Sequence, residues 1–126
     1  MEDSKVKIQH FTDLHAWQEA KILAVMVYKE TRSFPSEEQF GLTSQARRAA
    51  VSVSANIAEG FARRTSKDKK GFYQTALASL SELESHMLIA HDLVFLKKES
   101  LQVLREQMSR AGKLLTGLIR SASDRL

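Results

Sequence analysis

Residues 42–64, LTSQARRAAVSVSANIAEGFARR, constrain the fold more than any other stretch of this chain. The run contains no proline and a single glycine, Gly60. It reads as one helix of about 21 residues, about 32 Å long at 1.5 Å per residue. At about 100° per residue, Leu42, Ala46, Ala49, Ala50, Val53 and Ile57 share an apolar face, with Gly60 beside them. Val51, Ala55, Ala58 and Ala62 make a second face of small residues almost opposite the first. Gln45, Arg48, Ser52, Asn56, Glu59 and Arg63 form a polar stripe between the two. A helix apolar on two sides is expected to be buried on two sides. The first face then belongs to the core of this chain, and the second is the expected oligomer interface.

The remaining segments also read as helices. One proline, five glycines and few alternating β-branched runs argue for an all-α protein. Residues 1–10 are expected to be a flexible lead-in, and residues 11–126 one bundle domain. Thr12 or Asp13 can cap a first helix running to about Arg32, with Phe11 stapled onto Ala16 or Trp17. Its expected core side carries Leu14, Trp17, Ala24, Tyr28 and Thr31. Pro35 stops continuation, Ser36-Glu-Glu-Gln39 fits a capping box for a short extra turn, and Thr43 can cap the central helix. Thr65-Ser-Lys-Asp68 repeats the capping pattern and opens a third helix through Phe72, Ala76, Leu80, Leu83, Met87, Ala90 and Val94, ending near Leu93. Leu101, Leu104, Met108, Ala111, Leu115, Leu118 and Ala122 keep a heptad rhythm through the last helix. Four helices with short connections make a four-helix bundle.

Composition excludes most chemistry. The chain has no cysteine, which removes disulfides, thiol nucleophiles and thiolate metal sites. A di-metal bundle needs E-x-x-H pairs one turn apart, and His10, His15, His86 and His91 occur in none. There is no G-x-S-x-G turn and no phosphate-cradling glycine loop. The expectation is no catalytic residue, no metal and no cofactor. Ser52, Asn56 and Glu59 are placed to meet Glu82 or Ser79 across an antiparallel helix pair, as a structural polar network that fixes register. Arg48 or Arg63 would neutralise a carboxylate buried there. The N-terminus lacks a signal-peptide core and no run is long and apolar enough to span a bilayer, so a cytoplasmic location is expected.

Charge is concentrated. The chain carries a net +4, but residues 45–71 alone hold seven basic side chains against two acidic, a local +5. Arg47, Arg48, Arg63, Arg64, Lys67, Lys69 and Lys70 are therefore the candidate nucleic-acid-binding residues, making phosphate contacts with no base-specific reader. Residues 100–126 add a local +3. The competing expectation is a structural or adaptor ring that binds a protein partner, with the charge incidental.

Several blocks together carry a resemblance: Phe11-x-Asp-Leu-x-Ala-Trp17, Phe34-Pro, Gly41-Leu-Thr-x-Gln45, Arg47-Arg-Ala-Ala-Val-Ser52, Ala55-Asn-Ile-Ala-Glu-Gly60 and Ala78-Ser-Leu-x-Glu-Leu83. Over about residues 11–120 the chain resembles the proteins encoded in 23S ribosomal RNA intervening sequences. The resemblance implies a left-handed up-and-down four-helix bundle and a homopentamer. It also implies kinship with the accessory variability protein of diversity-generating retroelements, whose basic barrel binds nucleic acid and a reverse transcriptase. The number five comes from this resemblance alone; periodicity reaches only the bundle and self-association.

Overall fold

The structure, a computed structural model, describes residues 7–126. Four helices account for most of it: α1 (His15–Thr31), α2 (Leu42–Ala62), α3 (Ser66–Asp92) and α4 (Lys98–Ser123). Each packs on its neighbours in sequence and α4 closes back onto α1, with no close backbone approach between diagonal pairs among the described residues. With connections this short, successive helices run antiparallel, giving an up-and-down four-helix bundle. The start of α1, the end of α2, the start of α3 and the end of α4 therefore share one end. Most of the lead-in expected over residues 1–10 lies outside the described residues. At its close, the Gln9 and His10 amides donate to Asp13 Oδ2 at 3.0 and 3.1 Å.

The core follows the helical periodicity closely on three helices. On α2, Ala46, Ala49, Ala50, Val53, Ile57 and Gly60 are buried, joined by Thr43. On α4, Leu101, Leu104, Met108, Ala111, Leu115 and Ala122 are buried, while Leu118 packs against the core's edge. Leu83 of α3 and Leu115 of α4 are both fully enclosed. Two positions on α3 differ from the expected face. Tyr73 is buried where Phe72 was expected, because α2 passes over that point at Gly60, and Val94 lies beyond the helix. On α1 the buried side is Ala16, Ala20, Leu23, Val27 and Thr31, leaving Tyr28, Ile22 and Val25 exposed. Its apolar residues encircle the helix, so periodicity alone does not single out the side that meets α2 and α4.

The helix ends also correct the capping expectations. Thr12 and Asp13 sit inside a 3₁₀ turn, Phe11–Asp13, whose cap is His10; Leu14 precedes α1 with no side-chain cap. Phe11 does pack on Trp17, ring centres 5.2 Å apart. The extra turn forms at Ser36–Glu38, and Glu38 rather than Thr43 caps α2, its Oε1 accepting from the Leu42 amide at 3.0 Å. A carboxylate there also meets the positive end of the helix dipole. Thr65 caps α3 as expected, its hydroxyl accepting from the Asp68 amide at 3.1 Å.

α3 ends at Asp92 without a glycine. The Phe95 amide bonds to Ala90 O and the Val94 amide to His91 O, both at 2.9 Å, the paired bonds of a Schellman turn. That motif puts its C′ residue in the left-handed region, and here Val94 takes φ 65°. A β-branched side chain is strained in that region, at a cost on the order of 1–3 kcal/mol. Phe95 then turns inward onto Phe34, with ring centres 5.8 Å apart.

Val94 is 89% exposed, so its side chain contributes little packing in return. Val94→Gly is expected to stabilise the fold by about 1 kcal/mol, raising the melting temperature by a few degrees. An unchanged or lower melting temperature in a calorimetric scan would show that the valine makes a compensating contact.

Candidate nucleic-acid interface

The site starts where α2 stops. Arg63 leaves the helical region (φ −73°, ψ 152°), and Thr65 opens α3 two residues later. Gly60 O accepts the Arg63 amide at 3.1 Å, and the carbonyls after it have no helical partner. Lys69, one turn into α3, reaches back to them: its Nζ donates to Phe61 O at 2.6 Å and lies 3.5 Å from Gly60 O. Burial, and then the like charge of Arg125, hold this ammonium below the ordinary lysine range. Arg125, 56 positions later in the chain, follows the end of α4 and so lies at the same end of the bundle.

Arg63 is also engaged. Its Nη2 donates to Glu59 Oε2 at 3.0 Å, and its guanidinium lies 4.4 Å from the centre of the Phe72 ring. Arg64 and Lys67 are exposed and Lys70 is half-buried; none has a polar partner among the described residues. Their charges face solvent beside the positive end of the α3 dipole.

Arg47 and Arg48 are elsewhere. Sixteen positions before Arg63 and Arg64, they stand about 24 Å away along α2. Arg48 is exposed. Arg47 is built into the fold: Nε donates to the buried Thr31 hydroxyl at 2.9 Å, Nη2 lies 3.5 Å from Tyr28 O, and the guanidinium covers the Tyr28 ring at 4.6 Å. The seven candidate cations therefore do not form one surface. Five cluster at the α2–α3 corner, and two sit at the opposite end.

The polar stripe of α2 divides in the same way. Ser52 and Ser79 hydroxyls meet at 2.8 Å, and Asn56 Nδ2 donates to Ser52 O and Oγ at 2.9 and 3.0 Å. Glu59 stands apart with Arg63, and Glu82 pairs along α3 with His86 at 3.0 Å. A second buried polar group lies on α4. Gln107 donates to Glu19 O and Oε1 of α1 at 2.9 and 2.8 Å, and accepts from Arg110 at 2.6 Å. The second face of α2 is open in the single chain: Val51, Ala55 and Ala62 are exposed and Ala58 is half-buried. No helix among the described residues is long and apolar enough to cross a membrane.

Fold and corner together define the class, an all-α, up-and-down four-helix bundle with a basic end. The model of the 23S rRNA-intervening sequence protein family matches residues 12–117, and the chain belongs to that family. Among solved structures, a protein of unknown function from the S23 ribosomal protein family of Bacteroides thetaiotaomicron superposes with a TM-score of 0.74. It is 20% identical, over 82% of this chain and 97% of that one, a likeness of fold. Among curated proteins none matches.

The two neighbouring arginines should behave differently. Arg47→Ala is expected to cost about 1–2 kcal/mol in urea unfolding, through the lost Thr31 bond and the cation–π contact. Arg48→Ala should stay within about 0.5 kcal/mol of the parent. Equal effects would remove the structural role assigned to Arg47.

Proposed function

We propose that this chain is a non-enzymatic, self-associating bundle that binds nucleic acid non-specifically through its basic end. One observation carries the reading: Arg64, Lys67 and Lys70 have no polar partner among the described residues, at the end of the bundle where α4 also finishes, carrying Arg125 just beyond it. The bundle topology thereby puts basic residues far apart in sequence at one end. Lys69 is held there by helix carbonyls, and no carboxylate pairs with it among the described residues, so its charge adds to the attraction for a phosphate.

Self-association supplies the second half of the reading. The Val51, Ala55, Ala58 and Ala62 face is made of small side chains and lies outside the buried core. Packing it against another copy repeats the basic corner around an assembly, and a phosphate backbone then engages several corners at once. Effective concentration raises affinity without a new kind of contact.

Arg64→Glu combined with Lys67→Glu is expected to leave the melting curve intact, because both side chains are exposed. The pair should weaken binding to unrelated sequences alike and flatten the salt dependence. The log–log slope falls by about 0.9 for each lost contact on duplex DNA and about 0.7 on single strands. Wild-type protein that bound nothing at about 50 mM salt would refute the reading.

Ala55→Glu puts a charge on the proposed contact face and should convert a multimer into a helical monomer in sedimentation velocity. A monomeric wild type would eliminate the self-association half.

A further inference from the structure

The basic end is not only basic. Aromatic rings stand among its cations, Phe72 against Arg63 and Phe61 against Lys69. Arg63 shows this most clearly. Glu59 offsets its charge, which makes it a poor attractor of phosphate. Its guanidinium is nonetheless seated 4.4 Å from the centre of the Phe72 ring, and its side chain remains 45% exposed. The ion pair and the ring together hold a planar group in place with solvent access. A fixed guanidinium plane is a stacking surface for a nucleobase.

A second such surface lies at the same end of the bundle. The exposed ring of His10 lies 4.3 Å from that of Phe11 with planes 32° apart, and Phe11 in turn meets Trp17 edge-on. The turn carrying Phe11 packs against both α1 and α2. It thus sits beside the helix whose end supplies Arg63 and Arg64.

Resting on the nucleic-acid reading above, we infer that the preferred ligand is single-stranded. Its phosphates lie on Arg64, Lys67 and Lys70, and its bases stack on the Arg63–Phe72 and His10–Phe11 surfaces. The physics separates this from a purely electrostatic surface. A duplex carries the denser phosphate charge, so charge alone favours the duplex or leaves the two equal. A duplex also keeps its base faces inside the stack, where neither surface can reach them. Stacking therefore rewards the single strand alone, and its worth per base is enough to reverse the order.

The experiment compares a fluorescently labelled 20-nucleotide single strand with the duplex of the same sequence, by anisotropy at about 50 mM salt. Wild-type protein is expected to bind the single strand at least about tenfold more tightly. Arg63→Lys keeps a positive charge four residues from Glu59 but removes the plane. It should weaken single-strand binding about fivefold, leave duplex binding and both salt slopes unchanged, and keep the melting temperature. Equal or tighter duplex binding, or an Arg63→Lys variant indistinguishable from wild type, would overturn the stacking inference while the phosphate-binding reading stood. Failure to bind either nucleic acid would overturn both.

Discussion

At Gly60 the backbone of α2 passes so close to α3 that a Cβ there would lie 2.7 and 2.9 Å from two carbons of the Tyr73 ring and 3.0 Å from Phe72 Cβ. A hydrogen fits and a methyl group does not. This contact sets how the two most extensively packed helices meet. The corner that follows inherits its geometry from this contact. With α2 ending against Tyr73, the chain turns within three residues, Lys69 falls opposite the last α2 carbonyls, and Phe72 lies under Arg63. The basic surface is thus a consequence of how α2 and α3 pack.

Polar groups inside the bundle fix register where apolar packing would tolerate sliding. Ser52 and Ser79 bond across α2 and α3, and Gln107 bonds Glu19 across α4 and α1. Each buried group finds a partner, so neither leaves the desolvation cost of an unpaired polar atom. The cations follow the same economy. Arg47 binds helix α1, Lys69 binds the end of α2, and Arg63 binds its own helix and a ring. A count of positive residues therefore overstates the charge available to a ligand. At the corner Arg64, Lys67 and Lys70 remain, and Arg48 remains toward the other end of α2.

How much was legible depended on whether local pattern and packing agreed. The α2 face and the α4 heptad were readable, because one regular stripe of apolar residues meets one core. α1 was not: apolar side chains surround it, and only the positions of α2 and α4 select Leu23 and Val27 over Tyr28 and Ile22. The end of α3 was hidden because Val94 occupies a position normally marked by glycine. Gln107 left a faint trace as a polar residue beside Met108 on the heptad seam, yet its partner is 88 positions away. The basic corner was half legible. Residues 63–70 are contiguous, but the arrival of Arg125 and the departure of Arg47 are facts of topology, which sequence spacing does not carry.

Lysine reactivity measures most directly where a polyanion sits on this bundle. Acylation by an amine-reactive reagent, read residue by residue by mass spectrometry with and without bound nucleic acid, separates the two ends of the molecule. Protection is expected at Lys67 and Lys70, with unchanged reactivity at Lys29, Lys97 and Lys98 at the far end. Protection of Lys97 and Lys98 with Lys67 and Lys70 left reactive would contradict it.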